Sequence, residues 1–133
     1  MFGRGAGARG GGPLPVLTYH SLDDSGSVIS VSPSLFAEHM RVLHEAAIST
    51  LSLPAAAQAL RDGRVPAGAV VLTFDDGFEN FYQHAYPVLR RYGFTATIFL
   101  VTDYCGKDNS WPSQPAHVER RPLLRWAQVR EMS

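Results

Sequence analysis

The 133-residue chain is short of several things, and each shortage removes a class of answers. It has one cysteine, Cys105, which excludes a disulfide framework and a Cys-rich zinc site. Twelve basic and twelve acidic side chains leave no net charge, and so no electrostatic footprint for nucleic acid or an anionic membrane. Only 18% of residues are charged while 45% are apolar, a balance that builds a core and argues against disorder. No apolar run approaches the roughly 20 residues of a membrane span. The Gly-rich opening, Met1 to Pro13, has Arg4 and Arg9 but no apolar stretch behind them. It does not read as a signal peptide, and it is expected to be a disordered leader outside the fold. The default compartment is then cytoplasmic, with the cell envelope or secretion left open.

What is present begins at Leu14. Val16 to Tyr19 is a β-rich run bounded by Pro15 and His20-Ser21, expected to be a strand, and Leu22 to Ser32 is expected to be a loop. Ser32-Pro33 opens an amphipathic helix, whose apolar stripe is Leu35, Phe36, His39, Met40, Leu43 and Ala47. A weak strand, Ile48 to Leu51, precedes a second helix over Pro54 to Arg61, capped by Ser52. Ala69 to Phe74 is apolar without alternation, as in a strand buried on both faces. Phe78 to Tyr92 reads as a helix stopped by Gly93, and Thr95 to Val101 as a further buried strand. Thr102 to Arg121 has no period, and Leu123 to Met132 is helical, with Leu123, Leu124, Ala127 and Val129 as its buried positions. Strands alternating with helices predict a parallel α/β fold, either an open sheet or part of a (β/α) barrel. In both, chemistry collects at the C-terminal ends of strands, here Tyr19-His20, Asp75-Asp76-Gly77 and the loop after Val101.

The strongest chemical signal is Thr73-Phe74-Asp75-Asp76-Gly77. Two adjacent carboxylates repel, so one pKa should rise unless a cation or donor intervenes. A divalent metal resolves the conflict by taking one carboxylate, which frees the other to hold or deprotonate a water. Gly77 lets the chain turn tightly with its backbone close to the site. The competing view, that these residues form only a turn and a helix cap, suits an isolated Asp-Asp-Gly better than one set between a buried strand and an amphipathic helix. The loop after Val101 places Tyr104 and Trp111 where aromatic faces could stack on a sugar ring. A rigid loop pinned by Pro112 and Pro115 is an equal reading. Tyr19 is a candidate substrate contact beside His20. Cys105 has no base placed near it and reads as an unreactive thiol. His39, His44, His84 and His117 read as structural or solvated. His39 and His44 lie about 140° apart around their helix and share no face.

Thr73 to Gly77 resembles the first motif of the polysaccharide deacetylases, the NodB-homology or carbohydrate esterase family 4 enzymes, and Leu17-Thr18-Tyr19-His20-Ser21 resembles the first-strand motif of their poly-N-acetylglucosamine deacetylase-like branch. The likeness runs from about Leu14 to Ser133. It implies the N-terminal part of a deformed, TIM-like (β/α)7 barrel, residues 14–133 being a portion of the catalytic domain. The implied activity is metal-dependent removal of N-acetyl groups from an amino-sugar polymer, with a divalent metal, usually zinc, as cofactor. Asp75 would be the general base, Asp76 a metal ligand, and His20 would sit beside the metal to position water or substrate. The family's second motif, His-x-x-x-His, does not occur in the 133 residues. Truncation before that motif is therefore expected, together with a chain that is inactive alone and that self-associates through exposed strand edges.

Two other enzyme classes use strand-end carboxylates. Haloacid-dehalogenase-type phosphatases need Asp-x-Asp, whereas this pair is adjacent. Receiver domains use an acidic pair that Asp23-Asp24 mimics, but Ser21-Leu22 separates it from the strand end and no later strand-end Lys follows. A non-catalytic fragment or carbohydrate-binding module of the same fold is the main alternative to an enzyme.

Overall fold

The computed structural model describes residues 12–133. Met1 to Gly11 of the expected leader lie outside the described residues, while Gly12 and Pro13 are exposed and belong to no element. The elements follow the expected alternation. Strand β1 (Val16–Tyr19) leads into two short strands, β2 (Ser21–Leu22) and β3 (Ser30–Val31), which pair with each other inside the segment expected to be a loop. Helix α1 (Pro33–Glu45) has Ser32 as its N-cap, whose Oγ accepts from the Leu35 N–H at 3.1 Å. It ends two residues earlier than expected, so Ala47 is exposed and not part of the apolar stripe. Strand β4 (Ser49–Leu51) and helix α2 (Leu53–Arg61, capped by Ser52) come next.

Strand β5 (Ala69–Phe74) is buried at all six positions, as its unbroken apolar run requires. It is the centre of a four-stranded parallel sheet. On one edge β1 pairs along Val71 to Phe74, with Thr18 and Thr73 hydroxyls 2.9 Å apart. The other edge is shared. Strand β4 takes Ala69 to Val71, which leaves only Thr73-Phe74 for β6 (Thr97–Ile98). That division explains why β6 is two residues long and not the expected run from Thr95 to Val101.

The expected helix after the carboxylates is split. Phe81–Ala85 forms a π turn, with the Tyr86 N–H bonded back to the Phe81 carbonyl, before helix α3 (Tyr86–Tyr92). Pro87 causes the break: it has no N–H to give to the Gln83 carbonyl and its ring crowds that turn, so the chain widens there. Helix α4 (Trp126–Met132) starts three residues late because Leu123 and Leu124 are used elsewhere. Leu123 bridges to Phe78, and the Leu124 N–H donates to the Gly77 carbonyl at 2.8 Å. Of the positions expected to be buried in this helix, Ala127 is exposed and Val129 half-buried, and Gln128 is buried instead. The core lies between the sheet and α1 with α3. Phe74 is its hub, meeting Tyr19, Phe36 and Phe81 with ring centroids 5.3, 5.7 and 4.6 Å away. The parallel α/β class is therefore as expected. No described helix is long and apolar enough to cross a membrane.

Candidate active site

The strand ends bring Asp75, Asp76 and His20 together. The Asp75 N–H donates to the Tyr19 carbonyl at 2.9 Å, the last rung between β1 and β5, so His20 follows directly from the residue bonded to Asp75. Its Nε2 lies 3.5 Å from Asp75 Oδ2, with both side chains about one-third exposed. The pair thus remains open to water and to a ligand.

Asp76 leaves the strand in the left-handed region, φ 68°, a conformation uncommon for a residue with a side chain. Gly77 continues at φ 69°, and a Cβ there would stand 2.7 Å from Leu100 Cδ2. The left-handed backbone is what favours glycine, since Leu100 Cδ2 is the end of a flexible side chain that can move aside. Burial pushes the Asp76 carboxyl above its ordinary value. His20 opposes this rise and the adjacent Asp75 adds to it. The sequence pattern pointed to the pair without choosing between its members and emphasised charge repulsion, whereas desolvation is the larger cause.

The turn is braced from the far side of the chain. The Glu79 N–H donates to the Pro122 carbonyl, and Glu79 Oε1 accepts from Gln128 Nε2 at 3.0 Å while facing Arg125 at 3.3 Å. The N-terminal end of α4 is thereby tied to the segment that follows the carboxylates.

Tyr19 corrects the expectation that it meets substrate. Strand alternation sends its ring into the core against Phe36 and Phe74, and its hydroxyl is hydrogen-bonded to His39 Nδ1 at 3.0 Å. Burial raises its pKa. That bond also gives His39 the structural role expected of it. Tyr104 and Trp111 do come together, in an edge-to-face pair with centroids 5.8 Å apart and both residues half-buried. Among the described residues no hydrogen bond, ion pair or aromatic contact links them to Asp75, Asp76 or His20. Their loop is pinned by a residue the sequence did not single out. Asn109 is fully buried, donates from Nδ2 to the Glu119 carbonyl and accepts from the Arg121 N–H at 2.7 Å. Burial pushes the Cys105 thiol up, as befits an unreactive side chain.

A second polar group was also missed. The Asp23 carboxylate accepts from Ser21, Ser30 and the Ser25 N–H, and forms an ion pair with the buried Arg121 guanidinium at 3.0 Å. Burial acts to raise its pKa, but the hydrogen bonds from Ser21, Ser25 and Ser30 prevail and hold the carboxyl well below the usual range. Beside this network lies a pocket of about 440 Å³, lined among others by Asp24, Asn80, Gln83 and His84. Its lining does not include His20, Asp75 or Asp76, so it is distinct from the carboxylate site.

Among the described residues no group of three or more His, Cys, Asp or Glu side chains is placed to hold a metal ion. A catalytic zinc usually takes three protein ligands. Among the described residues Asp76, Asp75 and His20 do not by themselves supply that set.

The chain resembles known proteins in sequence and in fold. The chain is 30% identical over 130 residues to the poly-beta-1,6-N-acetyl-D-glucosamine N-deacetylase of Escherichia coli (strain K12), covering 88% of this chain and 18% of that one. It is 43% identical over 89 residues to the YxkH protein of Bacillus subtilis (strain 168), covering 66% of this chain and 32% of that one. The chain therefore spans a third or less of the length of these curated relatives. Among solved structures, IcaB from Ammonifex degensii superposes with a TM-score of 0.72 at 28% identity, over 90% of this chain and 47% of that one. The Streptococcus pyogenes deacetylase PplD, in complex with acetate, gives 0.70 at 27%, over 90% and 51%. The sequence profile described as Polysaccharide deacetylase matches residues 62–133, more than half of the chain and inclusive of both carboxylates. A parallel sheet whose central strand ends in these two acids, with this profile laid over it, places the chain in the polysaccharide deacetylase family.

Proposed function

We propose that residues 14–133 are the portion of a polysaccharide deacetylase catalytic domain that carries its general base and one metal-ligating carboxylate. The observation that carries this reading is the approach of His20 Nε2 to within 3.5 Å of Asp75 Oδ2, at the ends of adjacent strands and next to Asp76. An acetamide carbonyl is a poor electrophile, so attack by water needs its proton removed as the bond forms. Asp75 is exposed enough to meet that water and takes the proton. His20 lies 3.5 Å from it and positions the water or the acetamido group. Asp76 is turned away from ordinary strand geometry and serves as one ligand of a divalent ion, for which zinc is the first choice. The remaining ligands come from residues outside this chain. When bound, such an ion polarises the carbonyl and stabilises the oxyanion. Tyr104 and Trp111 form an aromatic corner suited to stacking on a sugar ring.

The relatives' activity on poly-β-1,6-N-acetylglucosamine makes a β-1,6-linked N-acetylglucosamine oligomer the first substrate to test, with a chitin oligomer beside it. Incubation of a longer protein, in which residues 14–133 are joined to the remaining metal ligands, with zinc and either oligomer is expected to release acetate and free amine in equal amounts. Release of neither from both oligomers would overturn the reading and favour a carbohydrate-binding role.

A further inference from the structure

His20 is held relative to the carboxylates by two ties. The first is backbone, the bond from the Asp75 N–H to the Tyr19 carbonyl. The second comes from a side chain. Asn80, four residues after Asp76, turns its amide back onto the chain that follows His20. Its Oδ1 accepts the Leu22 N–H at 3.1 Å, and its Nδ2 donates to Ser21 Oγ at 2.8 Å. The residue before His20 is thus bonded to Asp75, and the two residues after it are bonded to Asn80. His20 itself spans the gap between these anchors.

The chemistry at this point selects an amide. The Leu22 N–H needs an acceptor, and Ser21 Oγ needs a donor because its own proton is committed to Asp23. An amide supplies both groups from one planar end, whereas a carboxylate supplies only the acceptor. A carboxylate would also bring a second negative charge towards Asp23. Ser21 and Leu22 are both fully buried, so an unmet bond here cannot be made up by bulk water. The relay runs on from Ser21 through Asp23 to Arg121, tying the segment after β1 to the long loop before α4.

We propose that Asn80 is a positioning residue for deacetylation. It fixes the backbone carrying His20 so that the imidazole keeps its place opposite Asp75, and it touches neither substrate nor the reacting atoms. The proposal rests on the roles assigned above to His20 and Asp75. Displacement of a reacting or orienting group by about 1 Å can cost up to about a hundredfold in rate.

The test is a double-mutant cycle in the acetate-release assay, using Asn80→Ala, His20→Ala and the double variant. Asn80→Ala is expected to lower kcat about tenfold to a hundredfold with KM changed by about twofold or less. In the His20→Ala background the same change should cost less than about twofold, because the residue it acts through is gone. Equal losses in the two backgrounds, or wild-type kcat in Asn80→Ala, would overturn the proposal. Should Asn80→Ala fail to fold, Asn80→Asp keeps the acceptor, loses the donor and runs through the same cycle under the same criterion. A readout independent of turnover separates this proposal from the function it rests on. In the Asn80 variant that folds, the His20 imidazole NMR resonances should shift or broaden while those of His39 stay in place. Unchanged His20 resonances would overturn the positioning role. Absence of acetate release by the wild-type protein would overturn only the deacetylase assignment.

Discussion

Gly77 sits in a left-handed backbone conformation, and a side chain there must also push the end of Leu100 aside. Gly77→Ala is therefore expected to destabilise the protein by about 1–3 kcal/mol, read as a lower midpoint in chemical denaturation. Asp23 makes a different kind of prediction. Its folded-state pKa is depressed, so its stabilising contribution is complete above the ordinary value of 3.8 and is lost as pH falls below it. Asp23→Asn should lower stability at pH 7 by about 2–3 kcal/mol, since the buried Arg121 guanidinium loses its closest counter-charge. The gap between the two proteins should narrow as pH falls below about 4, where the unfolded chain's carboxyl takes up a proton that the folded one still refuses. Parallel profiles down to pH 2 would show that Asp23 is not the titrating group. At this scale the carboxylate pair was legible because an apolar run ended on it. Tyr19 was misplaced because adjacency to His20 suggested a shared role, whereas successive strand residues face opposite sides. Ser21, Asn80 and Arg121 were not legible at all, since their partners lie far along the chain and only folding joins them.

Three helices end in the same way, and one of them lacks the residue this ending favours. In α2 the Gly63 N–H bonds to the Leu60 carbonyl and the Arg64 N–H to that of Ala59, with Gly63 at φ 63°. In α3 Gly93 and Phe94 bond to Arg90 and Leu89, with Gly93 at φ 65°. In α1 Ala47 and Ile48 bond to His44 and Leu43 in the same pattern, with Ala47 at φ 54°. All three are Schellman motifs, whose left-handed position suits glycine and penalises a Cβ. Ala47→Gly should therefore stabilise the protein by about 1 kcal/mol, visible as a raised denaturation midpoint, since Ala47 is exposed. The sequence marked the two glycine stops clearly and extended α1 too far because alanine is a good helix former. Caps at Ser32 and Ser52 were legible from local chemistry. The short β6 and the π turn were not, because one depends on how β4 shares an edge and the other on Pro87 inside an otherwise regular apolar stripe.

For the molecule as a whole, the outer edges of β1, β4 and β6 have no strand partner among the described residues, and Val16 and Phe99 are about half exposed. Unpaired parallel edges flanked by apolar side chains favour association. The isolated 133-residue chain should accordingly show a mass that rises with concentration in light scattering, and a monomer at every concentration would contradict this. The alternation of strands and helices made the α/β class readable from sequence, because the periods of buried strand and amphipathic helix differ. The division of labour between the two carboxylates is the central claim, and it is tested most directly by measuring turnover and bound zinc together in Asp75→Asn and Asp76→Asn variants of the longer protein that supplies the remaining ligands. Asp75→Asn should lose turnover by about a hundredfold or more while retaining the wild-type amount of zinc. Asp76→Asn should lose both the metal and the activity. Retention of zinc by Asp76→Asn, or wild-type turnover in Asp75→Asn, would contradict the account.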